Sequence, residues 1–268
     1  MRKNHLASLI SLITAASTSV VAQDEDSPGF ALEEVLVTAQ FKQETLQDAG
    51  LAIDVVDGAE ITKQGISSGI DLADSVPALT INNTGGSSVN LILRGVGNTS
   101  NGPSTDAAVT FNYDGVALAR GAGAFGALFD LERVEVLKGP QGTLYGRNST
   151  GGVVSVVPAK PQIGEFTGFI DGSVGNYSAL DTTFAVNLPL GEIAAFRLAA
   201  NAETRDGYYT DGSNDVDKQN VRAQVLIEPS DVFSVRLAAD YGNVGGSGAS
   251  STPYAVYTNE TGTPRDFT

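Results

Sequence analysis

The chain has 268 residues, with 31 acidic against 16 basic residues, a formal net charge of −15, no cysteine and a single histidine, His5. Such acidity argues against nucleic acid as a partner, and the absence of cysteine excludes disulfides and thiolate chemistry. Because His5 lies in a segment that we expect to be removed, the mature chain also lacks the residue needed for Ser-His-Asp catalysis, Cys-His catalysis and histidine metal sites.

The N-terminal segment, residues 1–22, has the pattern of a secretory signal. Arg2 and Lys3 precede an apolar stretch from Leu6 to Val21, which ends in the small-residue pattern Val20-Val21-Ala22. Serines and threonines interrupt this stretch, and it is shorter than the roughly 20 apolar residues that a membrane span needs. These features favour cleavage after Ala22 over a membrane anchor.

The next segment, residues 23–41, begins with the polar and acidic run Gln23 to Gly29 and reaches a short β-prone run, Val35-Leu36-Val37-Thr38. This composition predicts a flexible arm that carries an extended segment. An extended peptide of this kind can add itself as a strand to the sheet edge of a partner. An ordinary first strand of the following domain is the alternative.

Residues 42–161 alternate short strands and helices, which indicates a compact α+β domain. Ala52 to Val56 and Val89 to Leu93 are apolar strands, Gly58 to Gly65 is helix-like, and the polar run Asn98 to Asp106 predicts a loop. The last part reads ERVEVLKGPQGTLYGRNSTGGVVSVV from Glu132 to Val157. It specifies a strand from Val134 to Leu137, a glycine-rich turn and a strand from Val153 to Val157.

After Pro161 apolar and polar residues alternate with a period of two. About five strands are predicted in residues 162–268, each with an apolar face and a polar, often charged, face. Polar-face residues include Arg197, Asn201, Arg222, Gln224, Arg236 and Asp240.

A soluble β-sandwich would show the same alternation, so the lengths of the connections between strands must distinguish it from a membrane barrel. The turns at Pro189 to Glu192 and Pro229 to Asp231 are short, whereas Asp206 to Gln219 is long and polar. Outer-membrane barrels alternate short periplasmic turns with long external loops in this way. Tyr208, Tyr209 and Tyr241 fall near strand ends, where an aromatic girdle is expected.

Three motifs carry a resemblance to a known family. Glu132 to Val157 resembles the end of the plug domain of TonB-dependent outer-membrane receptors, LEEVLVTAQ at Leu32 to Gln40 resembles a TonB box, and LILRGVG at Leu91 to Gly97 resembles the internal arginine-glycine motif of the plug. The resemblance implies an α+β plug domain followed by antiparallel transmembrane β-barrel strands in the outer membrane of a Gram-negative bacterium. It implies active import of a scarce nutrient, such as a ferric siderophore, without covalent chemistry.

The resemblance also implies site residues and partners. Coupling to TonB, which is energised by ExbB-ExbD, is assigned to the TonB box, which consists of Leu32, Glu33, Glu34, Val35, Leu36, Val37 and Thr38. Locking of the plug to acidic residues of the barrel is assigned to Arg94 and Lys138, although lysine lacks the planar fork of arginine. Surface charges of little energetic importance are the alternative. Candidate ligand contacts are assigned to the apical loop, in particular to Asn98, Thr99, Ser100 and Asn101. A solvated turn without a ligand is the alternative for this loop.

The predicted organisation is a signal peptide at 1–22, a periplasmic arm at 23–41, a plug domain at 42–161 and the start of a barrel at 162–268. Outer-membrane lipid and an iron-siderophore or similar ligand are the expected partners besides TonB, and no cofactor, metal or catalytic residue is expected. Because outer-membrane transporters use about 22 strands, the barrel is incomplete in this chain. We expect a fragment of a larger receptor or a truncated product that does not transport. A soluble periplasmic ligand-binding module is the alternative, and carboxylate-based enzymes are the least supported class.

Three other motifs do not survive closer inspection. Gly121 to Gly126 matches the dinucleotide fingerprint by letter, but the stretch before the next strand is too short for a crossover helix. Gly142 to Thr150 has the wrong glycine spacing for a phosphate loop. Asp211 to Asp217 lacks the glycine that a calcium loop needs at its sixth position.

Overall fold

The computed structural model describes residues 36–37, 44–45, 50–66, 69–83, 89–98, 105–118 and 128–247. The predicted signal segment, and the predicted arm apart from Leu36 and Val37, lie outside the described residues. These two residues form strand β1 (Leu36–Val37), which pairs antiparallel with β2 (Glu44–Thr45).

The α+β domain is built on a five-stranded mixed sheet of order β3-β9-β10-β7-β8. The central strand β10 is antiparallel to β9 and parallel to β7, and β3 pairs antiparallel with β9. The strands are β3 (Ala52–Asp57), β7 (Val109–Tyr113), β8 (Val116–Leu118), β9 (Leu131–Lys138) and β10 (Gly152–Pro158).

Within its described residues, this domain also contains a second, three-stranded antiparallel sheet and three helices. The sheet contains β4 (Leu79–Asn83), β5 (Val89–Leu93) and β6 (Val96–Gly97). The helices are α1 (Gly58–Lys63), α2 (Gly69–Ser75) and α3 (Gly142–Tyr145). The side chain of Asp57 accepts a hydrogen bond from the backbone N–H of Ala59 at 2.7 Å and so caps the first turn of α1.

The domain core lies on one face of the mixed sheet. Val134 and Val136 of β9 alternate with polar residues, so both point to this face and pack with Ile61 of α1 and Leu72 of α2. Helix α1 begins at Gly58, where an added Cβ would lie 2.0 Å from the carbonyl oxygen of Leu131. Glycine therefore lets α1 approach the start of β9 closely.

Residues 167–245 form a separate five-stranded antiparallel sheet in simple chain order, which we call the wall sheet. Its strands are β11 (Thr167–Gly175), β12 (Ala179–Pro189), β13 (Ala194–Arg205), β14 (Val216–Ser230) and β15 (Phe233–Gly245). The predicted fold class, an α+β domain followed by antiparallel strands, is confirmed. Strand β14 begins earlier than the sequence predicts, because Val216 to Lys218 pair with Arg205 to Glu203 of β13 and Lys218 Nζ bonds Glu203 at 2.9 Å.

None of the helices in the described part of the chain combines the length and the apolar character needed to cross a membrane.

Candidate functional site

The two faces of the wall sheet have opposite polarity. The cross-strand row Ile170, Phe184, Ala200, Val221 and Tyr241 lies on one face, where the four large side chains are 40–77% exposed. The rows Asn187–Arg197–Gln224 and Ala185–Ala199–Arg222 lie on the other face, and all six residues are buried. Polar side chains are thus covered by the α+β domain while apolar ones remain open, which is the reverse of a water-soluble sheet.

Arg197 of β13 and Asp130, which precedes β9, form a buried bidentate ion pair. The guanidinium Nε donates to Asp130 Oδ2 at 2.8 Å and Nη2 donates to Oδ1, and the two side chains are 10% and 2% exposed. Asp130 has a φ of +50°, a left-handed conformation that is costly for a residue other than glycine. Its carbonyl oxygen also accepts a bond from the N–H of Ala159 at 2.9 Å. The segment before β9 is therefore held by side-chain and backbone contacts together.

Arg222 of β14 holds the same segment through its backbone. Its Nη1 donates to the carbonyl oxygens of Phe129 and Asp130 at 3.3 and 3.4 Å, and its Nε donates to Asp240 Oδ1 at 2.7 Å. The guanidinium carbon lies 4.7 Å from the ring centroid of Phe129 and 5.2 Å from that of Tyr113. Two aromatic faces and a carboxylate thus offset the desolvation of a cation that is only 1% exposed.

Two further polar contacts join the domain to the wall sheet near Arg222. Arg236 of β15 donates from Nη2 to Asp114 Oδ1 at 2.5 Å and from Nη1 to Gln224 Oε1 at 2.8 Å. Gln224 in turn donates from Nε2 to the carbonyl oxygen of Ala159 at 2.8 Å. Three arginines on neighbouring strands therefore face acidic side chains and carbonyl groups of the domain.

Asn187 of β12 fixes the connection that leads into the wall sheet. Its Nδ2 donates to the carbonyl oxygens of Gln162 and Glu165 at 2.8 and 2.6 Å, and its Oδ1 accepts from the N–H of Gln162 at 2.9 Å. We call the set of contacts made by Asn187, Arg197, Arg222, Gln224 and Arg236 the seam. Because Arg197, Arg222 and Gln224 are buried and hydrogen-bonded to the domain, the seam sets the position of the domain against the wall sheet.

The packing changes abruptly along the strands of the wall sheet. Ala185 and Ala199 are buried against the ring of Phe129. Two residues further along each strand, Thr183 and Asn201 line a cavity of about 60 Å³ instead. Helix α1 borders another side of this cavity through Ile61 and Thr62, and Asp171, Asp181 and the segment Leu128 to Leu131 also line it.

The two residues predicted to lock the domain to the wall are placed as follows. Lys138, at the end of β9, forms an ion pair with Asp54 of β3, within the domain. Arg94 is exposed, has a φ of +51°, and its N–H donates to the carbonyl oxygen of Ala78 at 2.8 Å. The pairing of Arg94 and Lys138 with acidic residues of a barrel stays a prediction.

The other predicted site residues are only partly described. Val37 is fully buried in a cluster with Ile53, Leu137 and Val153, whereas Leu32 to Val35 and Thr38 lie outside the described residues. Asn98 donates from its side chain to the carbonyl oxygen of Asp106, and Thr99, Ser100 and Asn101 lie outside the described residues. Coupling by the former and ligand contact by the latter stay predictions.

A second polar cluster lies inside the domain, on the sheet face opposite the main core. Glu135 is fully buried and accepts from Arg133 Nε at 2.7 Å. Burial, together with the nearby charge of Glu135, raises the pKa of Tyr145 in α3 to about 12. This cluster connects β9 with the glycine-rich turn before β10.

Aromatic residues lie near the ends of the strands at one end of the wall sheet. Arg205 shares a face of β13 with Arg197, and its guanidinium carbon lies 3.8 Å from the ring centroid of Tyr208. The Tyr177 ring meets Tyr208 edge-on at 4.8 Å. An aromatic girdle that includes Tyr208 and Tyr209 stays a prediction. Tyr241 lies on the apolar face, as a girdle requires.

Sequence reasoning identified the wall arginines as polar-face residues but not as a site. Their signal was charge at alternate positions of strands whose other face is apolar. Asp130 and Asp114 carried no comparable signal, since both lie in turns where aspartate is common.

The domain, the seam and the wall sheet together define a protein in which an α+β domain is held by buried polar contacts against an antiparallel sheet whose open face is apolar. The family profile of the TonB-dependent Receptor Plug Domain matches residues 45–153. The resemblance found in the sequence is thereby confirmed, because residues 45–153 match the plug domain of TonB-dependent receptors, and antiparallel strands follow them.

Individual relatives agree with this assignment. The chain is 29% identical over 181 residues to the pesticin receptor of Yersinia pestis, covering 67% of this chain and 25% of that protein. It is 27% identical over 182 residues to the vitamin B12 transporter BtuB of Vibrio vulnificus, covering 65% of this chain and 28% of that protein. The chain thus spans about a quarter of the length of these relatives. These relatives are a receptor and a transporter.

Solved structures show the same fold. The ferric yersiniabactin uptake receptor FyuA from Yersinia pestis superposes with a TM-score of 0.62 at 25% identity, covering 68% of this chain and 30% of that one. The P. aeruginosa receptor FpvA bound to a heterologous pyoverdine superposes with a TM-score of 0.69 at 20% identity, covering 87% of this chain and 30% of that one.

Proposed function

We propose that this chain supplies the signal, coupling arm, plug and first wall strands of a TonB-dependent importer in the outer membrane of a Gram-negative bacterium. The observation that carries the proposal is a plug domain seated on a sheet whose exposed face is apolar. A charged substitution on a lipid-facing strand costs about 2–4 kcal/mol near the membrane midplane, so an apolar face of this kind suits lipid. The domain boundaries that we propose are 1–22, 23–41, 42–161 and 162–268.

The proposed cargo is a scarce nutrient in chelated form, with a ferric siderophore as the first candidate. Support comes from the similarity to FyuA, the ferric yersiniabactin uptake receptor of Yersinia pestis. The similarity to a vitamin B12 transporter makes cobalamin the compound to test beside it.

The proposed mechanism uses no covalent step. Ligand binding outside favours a state in which Leu32 to Thr38 is available in the periplasm, since a ligand can shift an equilibrium only by preferring one state. TonB, energised by ExbB-ExbD, binds this extended segment as an added strand and pulls on the plug. Arg94 and Lys138 are proposed to steady the plug against the barrel, and Asn98 to Asn101 to contact the ligand.

The experiment is uptake by the full receptor in a strain without its own siderophore and cobalamin receptors. Deleting residues 32–38 should abolish uptake of iron-55 ferric yersiniabactin or cobalt-57 cyanocobalamin while leaving binding at the cell surface unchanged. Deleting the seven acidic-arm residues 23–29 is the matched control and should preserve uptake. Uptake that persists without residues 32–38, or in cells without TonB, would contradict the proposal.

A further inference from the structure

Two tyrosines form an aromatic corner at one end of the wall sheet. The rings of Tyr177 and Tyr208 meet edge to face, with centroids 4.8 Å apart and an interplanar angle of 83°. Tyr177 lies in the turn between β11 and β12, and Tyr208 lies in the loop between β13 and β14. The two residues are 52% and 49% exposed, so much of their aromatic surface stays open. We call this pair of residues the tyrosine corner.

The backbone holds Tyr177 in a conformation that tyrosine rarely adopts. Tyr177 and Ser178 have φ values of +59° and +54° and are the central residues of a tight turn. The N–H of Ala179 closes this turn by donating to the carbonyl oxygen of Asn176 at 3.2 Å. Such a turn favours Asn-Gly, because a left-handed backbone is costly for most other residues. A tyrosine here adds strain and gains little burial, which indicates that the open ring is itself useful.

Backbone contacts fix the loop that carries Tyr208 in the same place. The N–H of Asp206 donates to the carbonyl oxygen of Tyr177 at 2.8 Å and so joins the loop to the turn. Gly207 lets the loop close on itself, since an added Cβ would lie 2.2 Å from the carbonyl oxygen of Gly212. The two rings are therefore pre-organised, and a bound group would not have to order them first.

The charges around the tyrosine corner decide which kind of group it can hold. Residues 206–215 contain three aspartates and neither lysine nor arginine. Asp206 is exposed, and its carboxylate has no hydrogen bond or ion pair with any described residue. The face of an aromatic ring is also electrostatically negative, and the guanidinium carbon of Arg205 already lies 3.8 Å from the ring centroid of Tyr208. Both features repel an anionic group and attract an ammonium or guanidinium group.

We propose that the tyrosine corner binds an alkylammonium or guanidinium group of the cargo, with this group against the ring of Tyr177 and near the carboxylate of Asp206. Among metal chelates, the corner would then favour those with a free cationic arm over neutral or polyanionic ones. The link to the cargo rests on the proposed import function, whereas the affinity of the corner for a cationic group does not.

Binding of a simple cationic probe tests the corner without transport. The probe is fluorescein-labelled tetralysine amide, and the same peptide with acetylated lysines is its uncharged control. Fluorescence anisotropy is measured with the purified full receptor in detergent at low ionic strength, where surface charges are least screened. We expect saturable binding of the charged peptide only. Its affinity should fall about threefold in Tyr177→Leu, because a cation–π contact at an exposed site is modest but measurable.

Matched variants separate recognition from effects on folding. Tyr177→Phe keeps the ring and should bind like the parent, and Tyr241→Leu should also do so, because Tyr241 lies on the apolar face. Asp206→Asn keeps the backbone contact to Tyr177 and should weaken binding through the lost charge alone. Equal affinities of Tyr177→Leu and the parent would overturn the proposal, because general charge attraction would then explain the binding. Equal binding of both peptides, or of neither, would overturn it as well.

A matched pair of chelates extends the test to the cargo. Ferrioxamine B ends in a free ammonium group, and N-acetylferrioxamine B holds iron in the same way without that charge. In cells whose only siderophore receptor is the full receptor, we expect about threefold more uptake of iron-55 from the charged chelate, and Tyr177→Leu should abolish the difference.

The outcomes distinguish the corner from the proposed import. Equal uptake of the two chelates, uptake of neither, or a difference that persists in Tyr177→Leu would overturn the assignment to the cargo, while the peptide measurement decides the cation site independently. Failure of the proposed function appears elsewhere, as uptake that persists without residues 32–38.

Discussion

Replacing Arg197 by glutamine tests whether the seam is an energetic attachment and not only a contact. The substitution leaves the Asp130 carboxylate buried, with its side chain 2% exposed, and removes both of its guanidinium bonds. Removing one partner of a buried ion pair costs about 3–5 kcal/mol, because the remaining charge has lost its compensation. At about 1.4 kcal/mol for each factor of ten, the lower figure makes local opening roughly 100-fold more frequent.

The assay is hydrogen exchange at the amide of Ala159, which donates to the carbonyl oxygen of Asp130. We expect this amide to exchange roughly 100-fold faster in Arg197→Gln, and Asp130→Asn in the same chain to restore part of the protection, since it removes the unpaired charge. Arg205→Gln is the matched control, because Arg205 lies on the same strand and face but stacks on Tyr208. An exchange rate within threefold of the parent in Arg197→Gln would refute the reasoning.

Three further predictions concern other parts of the chain. Gly152→Ala should lower the urea midpoint of unfolding by the equivalent of about 2–4 kcal/mol, because Gly152 has a φ of +144° and an added Cβ would lie 2.2 Å from the carbonyl oxygen of Leu137. Gly142→Ala is the control and should leave the midpoint nearly unchanged, because there is open space around Gly142. Equal midpoints for the two variants would contradict this prediction. Arg222→Met should increase the hydrogen-exchange rate of the Ala159 amide less than Arg197→Gln does. The reason is that Asp240, the carboxylate left without Arg222, is partly exposed and can be hydrated. A larger increase in Arg222→Met than in Arg197→Gln would disprove this order. The pKa of Tyr145 is raised from 10.0 to about 12 in the folded state, so its neutral form stabilises the fold fully below pH 10 and this contribution is lost as the pH rises towards 12. In Tyr145→Phe the free energy of unfolding should lack this part of its decline at alkaline pH. Identical profiles of the free energy of unfolding against pH for the two proteins would show that Tyr145 does not contribute.

Local signals predicted much of the fold but not its pairing. The sequence predicts the strand Val89 to Leu93 with its observed bounds, because a run rich in valine, leucine and isoleucine between turn residues favours a strand over a helix or a loop. The two strands around the glycine-rich turn were also found, although β9 extends from Leu131 to Lys138 beyond the predicted Val134 to Leu137. Strands β7 and β8 were not predicted, and the parallel pairing of β7 with β10 depends on contacts between distant residues that no local pattern carries.

The candidate site shows the same division. The alternation in residues 167–245 predicted a sheet with two different faces, and the structure places Arg197, Arg222 and Arg236 on the covered face. The acceptors of Arg222, however, include the carbonyl oxygens of Phe129 and Asp130, and Gln224 donates to the carbonyl oxygen of Ala159. These are main-chain groups that any residue could provide. A seam that uses backbone acceptors leaves no mark in the sequence at the accepting positions.

The strand order of the mixed sheet has a consequence for how the chain folds. Residues 52–57 of β3 pair with residues 133–138 of β9, and β7, which forms a local hairpin with β8, gains its second partner only from β10. Closing such long loops before this pairing energy is gained makes folding slow and leaves strand edges exposed meanwhile. The folding chain therefore passes through a period of vulnerability to aggregation and proteolysis that ends only when the residues up to Pro158 have joined the sheet.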